Sequence, residues 1–195
     1  LLKGNAAQLS EAVELLGSKG GPCTEDSIIF YHRVVSAVLS RTLVHEQSVD
    51  HGETVSTLRE VLFKVAKGFR SSSADKRLPL DMEELLMATH YQHMYNLCIE
   101  NGLIDVAAKC SITLLKYPDI VNADKAFYQA GITCRDQGNT NLAFLLLNRY
   151  VDLTEAIDTN DASFMDNTDF QEADAIPLNG PLPDTHYLED EDMRE

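Results

Sequence analysis

The sequence predicts an all-α protein, an α-solenoid of tetratricopeptide-like helix pairs followed by an extended acidic C-terminal tail. Three observations carry this. Apolar residues recur at three- and four-residue steps up to about Ile157, the period of an amphipathic helix. The last two helix pairs repeat at 36 residues. Beyond Asp158 the helical stripe disappears and acidic residues and prolines take over. The expected organisation is a helix-pair segment over residues 1–157 and an acidic, proline-containing linker over 158–195.

Seven helices are expected. The first runs from Asn5 to Leu16 and stops at Gly17 and the Gly20-Gly21-Pro22 breaker. Thr24 is the expected N-cap of the second, with Glu25 and Asp26 placed favourably in its first turn. Its buried stripe is Ile28, Tyr31, Val35 and Val38. The third is expected from Glu53 to Lys67, burying Val55, Leu58, Leu62, Val65 and Phe69, with Gly68 as its stop. The polar stretch from Ser71 to Arg77 reads as a loop. Four helices follow, over about Asp81–Glu100, Leu103–Lys116, Asn122–Gln137 and Thr140–Ile157. Asn101-Gly102, Tyr117-Pro118-Asp119 and Gln137-Gly138-Asn139 punctuate them.

Superposing Gly102 on Gly138 defines the repeat. Tyr91 falls on Phe127, Cys98 on Cys134, Val106 on Leu142 and Ala107 on Ala143. In a tetratricopeptide unit two helices cross so closely that only Ala or Gly fits between their backbones. Ala107 and Ala143 hold that position in the second helix of each pair, and Gly131 meets the same need in a first helix, where its counterpart Tyr95 departs from the rule. The spacing exceeds the standard 34 residues, so these are degenerate units. The last helix is apolar around most of its circumference (Leu142, Phe144, Leu145, Leu146, Leu147, Tyr150, Val151, Leu153), which predicts cover on more than one side.

Composition narrows the function. The net charge is −15, and Asp158–Glu195 holds twelve acidic residues against one basic residue, Arg194. Neither the body nor the tail offers a cationic surface, which argues against nucleic acid and anionic membrane as partners. No apolar run reaches the length of a membrane span, so membrane insertion is not expected. No signal peptide is visible, and the missing initiator Met predicts a piece of a longer protein. Four cysteines without CxxC spacing (Cys23, Cys98, Cys110, Cys134) predict a reduced, intracellular setting, three of them acting as small hydrophobes in helices.

Catalytic and cofactor chemistry find no support. There is no G-x-S-x-G, no phosphate-binding glycine loop and no dinucleotide fingerprint. His90 and His93 lie three apart on one helix, but no H-E-x-x-H or cysteine-pair signature joins them, so half-buried histidines beside Tyr91 and Tyr95 are expected, with no metal. Glu189-Asp190-Glu191-Asp192 lacks the spaced oxygens and central glycine of a calcium loop. No catalytic residue, cofactor or metal is assigned.

Three ordered strings carry a resemblance: Leu58-Arg59-Glu60-Val61-Leu62-Phe63; Asp124-Lys125-Ala126-Phe127-Tyr128 followed by Ala130-Gly131-Ile132; and Leu147-Asn148-Arg149-Tyr150 followed by Asp152-Leu153-Thr154 and Ala156-Ile157. With Asp169-Phe170-Gln171 and Pro181-Leu182-Pro183 in the same order, the chain resembles the C-terminal part of the intraflagellar transport protein 172 family. The resemblance implies a non-enzymatic solenoid segment of a subunit in the complex B train, working in the cilium or flagellum at axoneme and basal body, on the cytoplasmic side. It implies other intraflagellar transport subunits as partners. It also implies WD40 propellers before this segment and a U-box-like domain after Glu195, which would make the tail a connector. Phe144, Arg149, Tyr150 and Phe170 are the candidate contact residues, although core packing is expected of at least two of the first three. The competing reading is a free tetratricopeptide adaptor that clamps a partner's acidic terminus, which needs a basic concave face that the matched helices scarcely supply.

Overall fold

The computed structural model describes residues 24–40, 49–72, 77–165 and 182–188. The helix expected over Asn5–Leu16, the Gly20-Gly21-Pro22 breaker, Cys23 and Phe170 lie outside the described residues. Every regular element among them is helical, so the fold class is all-α, made of solenoid-like helix pairs. No described helix is long and apolar enough to cross a membrane. The chain divides into two compact units, Leu1–His93 and Met94–Glu195.

The first unit holds α1 (Glu25–Leu39), α2 (Val49–Ser72) and the first part of α3 (Arg77–Glu100). Thr24 caps α1, its hydroxyl accepting from the Ser27 N–H. Tyr31, Val34, Val35, Val38 and Leu39 are buried, while Ile28 is half-buried. In α2 the expected stripe is buried at Val55, Leu58, Leu62 and Phe69, joined by Val61 and Ala66. Three boundaries differ from expectation, the first being the start of α2 at Val49, four residues before Glu53. At its other end α2 runs through Gly68 to Ser72, because Phe69 is fully buried and the Ser71 hydroxyl bonds back to the carbonyls of Lys67 and Gly68. α3 starts at Arg77, four residues early, since Pro79 falls in the first turn, where no intrahelical N–H is needed. Arg70 Nε meets Glu83 Oε1 at 2.6 Å, an exposed pair worth little to stability.

The second unit holds the end of α3, then α4 (Ile104–Leu114), α5 (Ala123–Asp136), α6 (Thr140–Thr159), a 3₁₀ turn at Ala162–Phe164, and residues 182–188. The 36-residue repeat recurs here bond for bond. Gly102 (φ +69°) ends α3 and Gly138 (φ +90°) ends α5. The Gly102 N–H donates to the Ile99 carbonyl and the Leu103 N–H to Cys98; the Gly138 N–H donates to Arg135 and the Asn139 N–H to Cys134. This is the paired bonding of a left-handed helix stop. Asn160 (φ 51°) repeats it at the end of α6, donating to Ile157, with Asp161 donating to Ala156.

Gly138→Ala isolates the backbone cost, since a Cβ there would meet nothing within 4 Å. The expected loss is about 1–2 kcal/mol from the left-handed conformation alone, read as a lower urea midpoint with an unchanged slope. An unaltered midpoint would mean that the turn relaxes to another conformation.

Candidate interaction site

The α5–α6 pair is held together at its closest point by Gly131. A Cβ on that residue would sit 2.7 Å from Cγ and Cδ2 of Leu147 and 3.3 Å from the Leu147 nitrogen, the close crossing that the repeat predicts. Ala107 and Ala143 are buried, as are Cys98 and Cys134 at their matched positions. Cys98, Cys110 and Cys134 are buried free thiols. Burial pushes the Cys110 and Cys134 thiols upward, which keeps them protonated and in the role of small hydrophobes. Between α4 and α5, the turn buries Ile120 and Val121.

The sequence-derived contact candidates fall in different places. Phe144 stands on the open side of α6 at 68% exposure, with Val151 two turns later at 53%. Arg149 and Tyr150 are buried, at 2% and 3% exposure, on the side of α6 turned into the unit. They take the core role expected of at least two of the candidates. His90 is half-buried with its ring against Tyr91 at 5.8 Å, and burial lowers its pKa, aided by Arg59. Among the described residues no group of three or more His, Cys, Asp or Glu side chains could hold a metal ion.

A second feature of the same pair is built by residues whose roles were not separately read in the sequence. Asp124 and Lys125, in the first turn of α5, are both buried. Asp124 Oδ1 accepts from the Lys125 N–H at 2.8 Å. Its Oδ2 accepts a short hydrogen bond from the backbone N–H of Tyr187, in the returning tail. The Tyr187 ring packs on Tyr128 (5.9 Å between centroids), Tyr128 packs on Tyr150 (5.1 Å), and Lys125 Nζ lies 5.7 Å from the Tyr187 ring centre. His186 Nε2 meets Asp158 Oδ1 at 2.6 Å, and Leu188 is buried. The tail thus covers a second side of the α5–α6 pair, and residues 182–188 belong to the same compact unit as α4–α6.

Electrostatics follow from burial. Loss of water raises the Asp124 pKa, opposed by the N–H donors of Tyr187 and Lys125 and by His186. Burial pulls the Lys125 ammonium down to about 8, opposed by Asp124. The Tyr187 hydroxyl is pushed up by burial and by the surrounding Tyr95, Tyr128 and Asp124. The cluster favours neutral groups and backbone recognition. A signal for it was present in the sequence, a charged pair followed at once by the apolar Ala126 and Phe127, where a helix face would otherwise be expected to enter the core.

Paired helices closed by matched glycine stops and a small-residue crossing define an all-α, solenoid-like protein of tetratricopeptide-like helix pairs. No family model matches the chain. Curated relatives do: the chain is 31% identical to the mouse intraflagellar transport protein 172 homolog over 95% of its own length, and 30% identical to the Chlamydomonas reinhardtii intraflagellar transport protein 172 over 80%. The Caenorhabditis elegans intraflagellar transport protein osm-1 is 41% identical over 45% of the chain. The chain is therefore homologous to a segment of the intraflagellar transport protein 172 family. It spans about a tenth of the length of the first two relatives (11% and 9%) and 5% of the third.

Proposed function

We propose that the chain is a non-catalytic scaffold segment of an intraflagellar transport subunit, acting in the cilium or flagellum and contributing protein contacts to the complex B train. Homology to intraflagellar transport protein 172 over nearly the whole chain carries this reading. In it, residues 1–157 form the helix-pair segment and 158–195 the acidic tail, with axoneme and basal body as the working places. Other intraflagellar transport subunits are the partners.

Phe144 and Val151, exposed two turns apart on α6, supply an apolar stripe that a partner surface can cover. The adaptor alternative is weaker, because Lys125 and Arg149 are buried in the last helix pair and cannot line an open basic groove. The test mixes the purified chain with reconstituted complex B subunits and reads co-elution by size exclusion. Stable co-elution supports the proposal, and none at micromolar concentration overturns it. Phe144→Asp with Val151→Asp is expected to weaken that binding tenfold or more. Both side chains are exposed, so stability should change by no more than about 0.5 kcal/mol per site. Unchanged binding would remove this stripe from the contact surface.

A further inference from the structure

We propose that the groove between the first turn of α5 and the C-terminal half of α6 is a peptide-recognition site, and that residues 182–188 are its tethered, displaceable ligand. This goes beyond the transport reading and does not depend on it.

Three kinds of contact read the segment separately. Asp124, buried at the helix start, accepts the backbone N–H of Tyr187, so it recognises extended main chain whatever side chain follows. Tyr128, itself backed by Tyr150, and Lys125 receive the Tyr187 ring, which selects an aromatic residue. Leu188 is buried next to it, and His186 pairs with Asp158 at the end of α6. The ligand chemistry is therefore an extended His-Tyr-Leu segment with an uncharged ring. A phosphate on the Tyr187 hydroxyl would carry close to two negative charges into a buried cluster that already holds Asp124, which disfavours docking.

The segment has the character of a ligand more than of a core element. It forms no helix or strand, and Asp184 and Thr185 within it are exposed. Sixteen residues separate it from Met165. A connection of that length holds the segment at an effective concentration on the order of millimolar. A modest intrinsic affinity then suffices to keep the groove filled in cis, while a competing peptide of the same chemistry can replace it.

The test uses the full chain carrying Tyr187→Ala and Leu188→Ala, which empties the groove and leaves its walls intact. A fluorescent peptide of residues 180–190 is titrated by anisotropy. The opened chain is expected to bind at least tenfold more tightly than the unaltered chain, whose own tail competes. Adding Asp124→Ala to the opened chain, or phosphorylating the peptide tyrosine, is expected to weaken binding at least tenfold. Circular dichroism checks that each variant keeps its helices, and hydrogen exchange at the Tyr187 amide of the unaltered chain reads docking independently. Equal binding by opened and unaltered chains, no binding by a folded opened chain at 1 mM peptide (about the tether's effective concentration), or undiminished binding of the phosphopeptide would each overturn the proposal. So would an unprotected Tyr187 amide.

Discussion

Gly131→Val is expected to lower the unfolding free energy of the Met94–Glu195 unit by about 2–3 kcal/mol. A Cβ alone would stand 2.7 Å from two Leu147 side-chain carbons and 3.3 Å from the Leu147 backbone nitrogen. The side chain of Leu147 can turn aside, but its nitrogen is fixed in α6, and valine adds two further methyl groups with a restricted rotamer. Overpacking of this kind costs about 1–3 kcal/mol. The gain in helix propensity from replacing glycine by valine is smaller, a few tenths of a kcal/mol. Gly131→Ala is the informative control: it gains up to about 1 kcal/mol of propensity against a smaller clash, so its net loss should be well under that of valine. Urea midpoints order the three proteins as glycine, alanine, valine from most to least stable. A valine variant as stable as the parent would mean that α5 and α6 separate at no cost, and the close crossing would lose its role.

The helix pattern was legible because it depends on local periodicity. Val55, Leu58, Leu62 and Phe69 were readable as one face, and the structure buries them. The glycine stops were legible for a different reason: the left-handed conformation at Gly102 and Gly138 disfavours other residues, so the chemistry shows in the residue type. Boundaries were less accessible. Gly68 reads as a stop, yet α2 passes through it because the burial of Phe69 outweighs a propensity cost of about 1 kcal/mol.

The candidate site was only partly legible, since it depends on contacts across long separations. The apolar circumference of α6 predicts cover on several sides but cannot name what supplies it. The structure supplies residues 182–188, which join Asp124 across 63 positions of sequence. Arg149 shows the same limit. The sequence offers Arg149 as a contact candidate without saying which of the candidates is buried, and its position on the inner side of α6 becomes visible only once α5 is packed against that helix. Phe144 differs again, since the apolar circumference of α6 predicts cover for it and the structure leaves it 68% exposed.

Stability is expected to rise as pH increases from about 8 towards 9, and Lys125→Met is expected to abolish that rise. Burial holds the Lys125 pKa at about 8 in the folded chain, below the ordinary lysine value near 10.5. Between those values the unfolded chain binds more protons than the folded one, so the contribution of this group grows with pH. It is complete above the unfolded pKa and lost as pH falls through about 8. The slope is at most about 1.4 kcal/mol per pH unit. Other groups oppose it further up. The buried thiols of Cys110 and Cys134, raised from 9.0, favour the folded state less as pH passes above 9, and the hydroxyls of Tyr95 and Tyr187 do the same above 10. Asp124 is also raised, from 3.8, so its contribution is full below that value and is lost as pH rises through its folded pKa. The comparison that isolates Lys125 is therefore the difference in urea midpoint between the parent and Lys125→Met at pH 7.5, 8.5 and 9.5. A difference that increases with pH locates the ammonium in a water-poor cluster with Asp124 and Tyr187. A flat difference would mean that the ammonium reaches water in solution, and the closed packing of the tail against α5 would have to be abandoned with it.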